Sequence, residues 1–327
     1  MKKSSSLFYL LLILSTMITI SSNSWLSMWV GLELNMMSFI PLILNKSNKS
    51  SSEAAMIYFL VQSVSSMLML MMALISICNY IMSINLINML INISLLIKLG
   101  AAPFHMWMPE MMSKMEWNKC MILMTWQKIA PLMMMMNNNN NMIIQLSIIW
   151  SVVIGSLGGI NQMSLRKMMG YSSINHLGWL MAMNKYINLW IIYMIIYSLM
   201  ILLICWMFMN YKMYFMNQVS SINLNMMEKI SFFIMMLSMG GLPPFIGFLP
   251  KWITIQSMIN EKEFFIMFVM IMFSLILLMY YLRVMTSMFL SFNSSIKWFS
   301  VQNNKLLTLT IFLVNLSLPV ILIMDIF

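Results

Sequence analysis

The chain has 327 residues, of which 61% are hydrophobic and only 8% are charged, and its formal net charge is +10. Soluble domains carry about 25% charged residues, so this composition excludes a soluble globular protein and predicts an all-α membrane protein that crosses the bilayer many times. The positive charge is typical of loops on one side of a membrane, and no basic run exceeds two residues, so nucleic-acid binding is not expected.

Apolar stretches follow one another along the whole chain and are separated by short polar breaks. Because lipid offers no hydrogen-bond partners to the backbone, each stretch is predicted to be a helix. The first stretch also resembles a secretory signal, but the density of the following spans favours a retained helix. The eleven predicted spans are 7–22, 25–44, 54–78, 83–107, 119–136, 142–160, 168–184, 187–209, 230–249, 264–284 and 306–326.

Basic residues are distributed unequally between the two sides that this count defines. The side of the N-terminus collects thirteen, and the other side has only Lys185, Lys251 and Lys262. The N-terminus is therefore predicted to face the inner compartment and the C-terminus the outer one. The thirteen are Lys2, Lys3, Lys46, Lys49, Lys114, Lys119, Arg166, Lys167, Lys212, Lys229, Arg283, Lys297 and Lys305.

Three charged residues lie well inside predicted spans: Glu33, Lys98 and Lys128. Each costs about 2.5–3.5 kcal/mol near the centre of a bilayer, so each requires a reason. One interpretation is an interhelical Glu–Lys pair that fixes packing. The other is a proton or ion path, which needs buried groups that can gain and lose a proton. Glu33 is the only acid deep in a span, and it is the natural modulator of either lysine.

The residues that usually hold cofactors are sparse. Cys78, Cys120 and Cys205 lie far apart without a CxxC pattern, which argues against an iron–sulfur cluster or a zinc site. His105 and His176 are the only histidines, and hydrogen-bonding roles are favoured over ligation of a haem. We expect the chain to bind neither a metal nor a redox cofactor.

Two segments suggest an internal repeat. The stretch KLGAAPFHMWMPE, 98–110, aligns without gaps to MGGLPPFIGFLPK, 239–251. The alignment pairs Gly100 with Gly241 and Pro103 with Pro244, which follows Pro243, so helix-breaking residues coincide.

The two segments fall in the fourth and ninth predicted spans and therefore have opposite orientations. This pattern predicts inverted five-helix repeats with two discontinuous helices, although two ordinary proline kinks would also leave such traces. The predicted division is 1–136 for spans one to five, 142–290 for spans six to ten, and 291–327 for a loop and span eleven.

Several blocks resemble a known family: GLELNMMSFIP, EAAMIYFLVQ, KLGAAPFHMWMPE, LMTWQKIAPL, GGINQMSLRKMMGYSSINHLGW and GGLPPFIGFLPKW. They are similar, in order, to the subunit 2 family of mitochondrial NADH:ubiquinone oxidoreductase, respiratory complex I. That family is in turn similar to the membrane subunits of cation/proton antiporters. The 48 methionines and the run of asparagines resemble the composition of proteins encoded by arthropod mitochondrial genomes.

The resemblance implies roles for individual residues. It implies that Glu33 lies at the interface with the neighbouring subunit and that Lys98, on the first broken helix, is its partner. It implies that Lys128 is the central lysine of a buried proton axis and that Lys251 belongs to the exit path. Lys251 stands near a predicted span end, so a plain interfacial lysine is the alternative for that position.

The resemblance also implies a setting. His105 and His176 would be auxiliary polar residues of the axis. NADH, FMN, iron–sulfur clusters and ubiquinone would be bound by other subunits, and the partners would include subunit 4, subunit 4L and lipids such as cardiolipin. The chain would lie in the mitochondrial inner membrane, with its N-terminus in the matrix and its C-terminus in the intermembrane space. A stand-alone cation/proton antiporter and a purely structural subunit are the alternatives.

Overall fold

The computed structural model describes residues 3–44, 48–78, 83–138, 141–221, 224–290 and 305–319. Regular structure in these residues is helical, and one isolated antiparallel bridge pairs Ser164 with Phe215. The helices are α1 (Lys3–Ser21), α2 (Trp25–Ile43), α3 (Lys49–Cys78), α4 (Ile84–Leu99), α5 (Trp107–Lys114), α6 (Trp117–Met124), α7 (Trp126–Met136), α8 (Asn141–Ile160), α9 (Leu165–Ala182), α10 (Ile187–Asn210), α11 (Met216–Ser221), α12 (Met226–Gly240), α13 (Phe248–Asn260), α14 (Phe264–Leu290) and α15 (Lys305–Asn315).

The predicted all-α membrane fold is confirmed. Within the described residues, every predicted span coincides with at least one helix, and five helices are long and apolar enough to cross a membrane unaided: α2, α3, α8, α10 and α14. The helices of the other spans are shorter, interrupted or less apolar, so the count of eleven stays a prediction. The last part of span eleven, the loop 291–304 and the basic residues Lys2, Lys46 and Lys297 lie outside the described residues.

The chain divides into two compact units, residues 1–151 and 152–327, and the boundary along the sequence falls within α8. In the first unit α1 packs on α2, α3 packs on α4 and α5, and α7 packs on α4. In the second unit α12 packs on α14 and α15. The predicted inverted relationship between residues 1–136 and 142–290 stays a prediction.

Serine hydroxyls inside both units bond within their own helices. Ser65 donates to the carbonyl of Gln62 at 2.8 Å, and Ser94 donates to the carbonyl of Ile91 at 2.7 Å. A buried hydroxyl without a partner is costly in lipid, and bonding to the preceding turn removes that cost without a tertiary partner. Serine is therefore compatible with the interior of these helices.

The first predicted helix break is confirmed at Gly100. Helix α4 ends at Leu99, and Gly100 adopts a left-handed conformation with φ 67°. The amide of Gly100 donates to the carbonyl of Ile97, and the amide of Ala101 donates to the carbonyl of Leu96, both at 3.1 Å. This pair of bonds is the Schellman arrangement that satisfies a helix C-terminus. An exposed Pro103, preceded by a cis peptide bond, follows in the non-helical segment before α5.

The second predicted break is confirmed at Gly241 and has the same local geometry. Helix α12 ends at Gly240, and Gly241 has φ 76°. Its amide donates to the carbonyl of Ser238 at 2.9 Å, and the amide of Leu242 donates to the carbonyl of Leu237 at 3.3 Å. The exposed prolines Pro243 and Pro244 follow in the connecting segment. The helices stop at these positions, so the interruptions are breaks and not proline kinks.

The helices also resume at aligned positions. Trp107 begins α5 and Phe248 begins α13, and these two residues occupy the same place in the aligned segments. Span prediction missed how far α13 continues, because it ended the ninth span at 249, whereas the helix runs to Asn260.

A third interruption was not predicted. The span expected over 119–136 is divided at Thr125, which lies between α6 and α7 and has φ −110° and ψ −73°. The Thr125 hydroxyl donates to the carbonyl of Met121 at 2.8 Å, and such back-bonding bends helices. Pro131, which lacks an amide donor, lies inside α7. The interruption places Lys128 in the first turn of a new helix.

An ion cluster joins two turns of the second unit. The ammonium of Lys185, between α9 and α10, contacts the carboxylates of Glu261 and Glu263, between α13 and α14. Partial burial lowers the pKa of Lys185, but the hydrogen bonds and charges of the two glutamates raise it, and the net direction is upward. Exposed pairs of this kind contribute little to stability.

Candidate functional site

Lys98 and Lys128 line the same buried cavity in the first unit. Lys98 belongs to the last turn of α4, beside the first break, and is 7% exposed. Lys128 belongs to α7 and is 2% exposed. The cavity has a volume of about 20 Å³, which is enough for one water molecule. The structure therefore brings together two lysines that are thirty residues apart in sequence.

Uncharged polar side chains complete the wall of this cavity. The hydroxyl of Tyr58 donates to Oε1 of Gln127 at 3.2 Å, and Nε2 of Gln127 donates to Oδ1 of Asn35 at 2.9 Å. These bonds connect α3, α7 and α2, and all three residues line the cavity. This chain of hydrogen bonds fixes the orientation of the Gln127 side-chain amide. Gln127 immediately precedes Lys128 in the sequence.

The broken end of α4 is closed by side chains from other helices. Nε2 of Gln62 donates to the carbonyl of Lys98 at 3.1 Å, and Nε1 of Trp107 donates to the carbonyl of Ile97 at 3.2 Å. These carbonyls lack a regular helical partner because the helix stops. A Cβ atom at Gly100 would stand 3.1 Å from the ring of Trp107, so both the backbone conformation and the close ring favour glycine.

Glu33 lies near this site but does not line the cavity. It is half-buried on α2, next in sequence to Leu32, which does line the cavity. Within the described residues, Glu33 and Lys98 form no direct ion pair. This arrangement differs from the packing pair that was one interpretation of the sequence, because a pair that locks two helices requires direct contact.

Lys251 lies in the second unit, at the second break. It is 5% exposed, and its Nζ donates to the carbonyl of Gly240 at 2.7 Å. The same ammonium lies 5.6 Å from the centre of the Trp179 ring. A helix C-terminus carries partial negative charge, and an aromatic face attracts cations. At the second break the lysine therefore contacts two groups that attract a cation, and its role on the exit path stays a prediction.

The two histidines lie in different units and both have hydrogen-bond partners. Nδ1 of His105 lies 3.1 Å from the carbonyl oxygen of Pro103, in the segment after the first break. Nδ1 of His176 lies 2.9 Å from the hydroxyl of Tyr193, and its ring packs against Tyr197 at 4.8 Å. In the described residues, no group of three or more His, Cys, Asp or Glu side chains is placed to hold a metal ion.

Sequence reasoning missed the amide and hydroxyl groups of the cavity. Gln62, Gln127, Asn35 and Tyr58 all stand inside apolar spans, and an amide in lipid demands a partner as a charge does. Counting buried amides together with buried charges would have drawn attention to the third predicted span, 54–78, beside the spans of Glu33, Lys98 and Lys128. The pairing between them could not be read from the sequence, since it depends on how the helices pack.

Interrupted helices with lysines buried beside the interruptions define a multi-pass, antiporter-like membrane subunit. The transmembrane model of the NADH:quinone oxidoreductase/Mrp antiporter family matches residues 22–277. Two solved assemblies contain chains of the same fold. A chain of respiratory complex I from Thermus thermophilus has a TM-score of 0.83 at 20% identity, over 97% of this chain and 79% of that one. A chain of the Mrp complex from a Dietzia species has a TM-score of 0.75 at 15% identity, over 86% and 60%.

Curated relatives are more similar in sequence. NADH-ubiquinone oxidoreductase chain 2 of Anopheles gambiae is 46% identical over 314 residues, which cover 93% of this chain and 91% of the relative. The chain 2 protein of Oryctolagus cuniculus is 38% identical over 306 residues, which cover 90% and 86%. The chain therefore belongs to the NADH-ubiquinone oxidoreductase chain 2 family, and the resemblance found in the sequence is confirmed.

Proposed function

We propose that the chain is a proton-translocating, antiporter-like membrane-arm subunit of mitochondrial complex I. The observation that carries this proposal is the cavity that Lys98 and Lys128 share beside the first helix break. Two buried lysines around space for one water are a suitable arrangement for passing a proton. The curated relatives are named NADH-ubiquinone oxidoreductase chain 2. We therefore propose that the proton movement is coupled to the oxidation of NADH by ubiquinone.

The first step takes place in the first unit. Protonated Lys98 donates a proton to a water in the cavity, and that water passes a proton to the neutral amine of Lys128. Glu33 is next in sequence to Leu32, which lines the cavity together with Lys98, so a change in the charge or position of Glu33 changes the proton affinity of Lys98. Because α4 ends at Leu99, Lys98 lies in the last turn of a helix and not in the middle of a continuous span.

The second unit supplies Lys251 as the group on the exit path. Its ammonium donates to the Gly240 carbonyl and faces the Trp179 ring, and both groups attract a cation. Each proton moved against a potential requires about 2.3 kcal/mol per 100 mV. Quinone reduction in other subunits supplies that energy, and those subunits hold FMN, the iron–sulfur clusters, NADH and ubiquinone.

The proposal also covers the membrane in which the subunit lies, its orientation and its neighbours. The subunit lies in the mitochondrial inner membrane with its N-terminus in the matrix and its C-terminus in the intermembrane space, as the excess of basic residues on one side favours. Its neighbours are other membrane-arm subunits, including subunit 4 and subunit 4L, and cardiolipin occupies part of its lipid contact. His105 and His176 act as auxiliary polar groups.

The fold shared with the Mrp complex favours a second candidate, a stand-alone cation/proton antiporter. That protein would exchange sodium for protons when reconstituted alone and would need no redox partner. A purely structural subunit, the third possibility, would let the assembled complex pump normally after the lysines are removed.

Lys98→Ala tests the proposal in the assembled complex. We expect NADH oxidation in proteoliposomes to continue with a strongly reduced number of protons translocated per NADH. Lys114→Ala is the control, because Lys114 forms an exposed ion pair with Glu53 at 3.0 Å, and such pairs contribute only about 0.2–1 kcal/mol. Normal pumping by the assembled Lys98→Ala complex would refute the proton role of this lysine.

A further inference from the structure

Asn315 is a buried amide near the middle of the eleventh predicted span, 306–326. It is the last residue of α15 and is 0% exposed. An amide at this depth in a membrane protein needs hydrogen-bond partners. Its Nδ2 donates to the carbonyl of Ile311 at 2.8 Å and to the sulfur of Met235 at 3.0 Å. Because Met235 belongs to α12, the side chain of Asn315 ties α15 to the half-helix that precedes the second break.

The backbone carbonyl of Asn315 makes a second connection to the break. In a continuous helix this carbonyl would accept the amide four residues later, but that residue is Pro319, which has no amide hydrogen. The amide of Ile246 donates to it instead, at 3.2 Å. Ile246 lies between α12, which ends at Gly240, and α13, so its amide is not part of a helix. A carbonyl freed by a proline and an amide freed by a helix break therefore satisfy each other.

Ile246 is joined in turn to the start of α13, the helix that carries Lys251. The carbonyl of Ile246 accepts the amide of Leu249 at 3.1 Å, in the first turn of α13. Lys251 follows two residues later, and its Nζ reaches back across the break to the carbonyl of Gly240, at the end of α12. The position of Ile246 therefore affects whether Lys251 can make this contact.

Helix α15 thus contacts both sides of the second break. It reaches α12 through the sulfur of Met235 and the start of α13 through the amide of Ile246. Apolar packing alone would explain why α15 lies against α12, but it requires neither an asparagine nor a proline, each of which is costly inside a membrane helix. Both residues have a purpose if α15 holds the interrupted backbone of the break.

We propose that α15 is a clasp on the second helix break and that Asn315 and Pro319 are positioning residues for Lys251. The clasp holds the start of α13 at a fixed place relative to the end of α12, and so keeps the ammonium of Lys251 within reach of the Gly240 carbonyl. A group that transfers protons must stay at a defined distance from its partners. The role of the clasp in proton movement rests on the function proposed above.

Pro319→Ala tests the clasp, because it restores an amide that competes with Ile246 for the Asn315 carbonyl. The measurement is hydrogen–deuterium exchange of the assembled complex, read by mass spectrometry on overlapping peptides that resolve Ile246. We expect the Ile246 amide to exchange about two- to tenfold faster in the variant, which is the change that loss of one hydrogen bond produces. Ser317→Ala is the matched control. Its hydroxyl bonds to the carbonyl of Val314, so the control leaves the Asn315 carbonyl as it is.

Pro319→Val separates the restored amide from side-chain packing. Valine supplies the same amide as alanine but has a larger, β-branched side chain, so the clasp predicts faster exchange of Ile246 in both variants. Unchanged exchange in both would overturn the clasp. A change in only one of them would make α15 a packing contact and would overturn it as well.

The number of protons translocated per NADH tests the positioning role. We expect the assembled Pro319→Ala complex to oxidise NADH but to translocate fewer protons per NADH in proteoliposomes. A merely structural helix would instead lower the amount of complex without changing this ratio. Faster exchange of Ile246 with a normal ratio would refute the positioning of Lys251. Hydrogen exchange does not depend on pumping, so it decides the clasp even if Lys98→Ala refutes the proposed function.

Discussion

Replacing Lys128 with methionine separates a functional charge from a structural one. Methionine keeps an unbranched side chain of similar length and removes the amino group that gains and loses a proton. A lysine near the centre of a membrane helix costs about 2.5–3.5 kcal/mol on insertion scales. Lys128 lines the cavity and has at least one interaction in the structure, and losing a hydrogen bond costs about 0.5–1.5 kcal/mol. The difference predicts that Lys128→Met stabilises the folded chain by about 1–3 kcal/mol, while proton translocation is lost.

The assay is SDS-induced unfolding of the purified chain in mild detergent, followed by tryptophan fluorescence. Lys119→Met is the matched control, because Lys119 is also buried in the first unit but donates to the hydroxyl of Tyr9 at 3.1 Å. Losing a bond to a charged group costs about 1.5–3 kcal/mol, so the control variant is expected to be less stable than the original chain.

The sign of the change in the free energy of unfolding of Lys128→Met distinguishes a functional lysine from a structural one. A loss of about 3–5 kcal/mol is the mark of breaking a buried charge pair, and it would show that Lys128 holds the helices together. Stabilisation combined with normal pumping in the assembled complex would refute the proton role instead.

Two further changes test the second break and the cavity wall. Gly241→Ala forces a left-handed alanine, which costs about 1–2 kcal/mol, and places its Cβ 2.8 Å from Nζ of Lys251. We expect the variant complex to translocate fewer protons per NADH in proteoliposomes. The control is Gly240→Ala, whose Cβ meets only a leucine side chain and which should pump normally. Tyr58→Phe removes the donor to Gln127, and SDS unfolding should show a loss of about 0.5–1.5 kcal/mol; an unchanged unfolding midpoint would show that this hydrogen bond contributes nothing.

The two helix breaks could be predicted because their chemistry is local. A glycine can adopt positive φ at no steric cost, and the following prolines prevent the helix from continuing. These residues were therefore enough to place Gly100 and Gly241 at the ends of α4 and α12. The interruption at Thr125 was missed because threonine is common in membrane helices, and only the bond of its hydroxyl to Met121 reveals the bend.

The lysines of the site could be found from sequence, but their surroundings could not. A charge inside an apolar span is rare enough to be noticed, and this marked Lys98 and Lys128. Which helices face each other depends on tertiary packing, so the shared cavity and the Tyr58 to Gln127 bond were beyond reach. The sequence also suggested a direct partner for Glu33, whereas in the described residues Glu33 and Lys98 form no ion pair.

Native electrophoresis of gently solubilised membranes tests most directly whether the chain works as a subunit of complex I. The gel is stained for NADH dehydrogenase activity, and the active band is analysed by mass spectrometry. We predict that peptides of this chain, including the segment MMSKMEWNK at 111–119, occur in the active band together with other membrane-arm subunits. Migration of the chain alone, outside every active band, would contradict the account and would favour a stand-alone cation/proton antiporter.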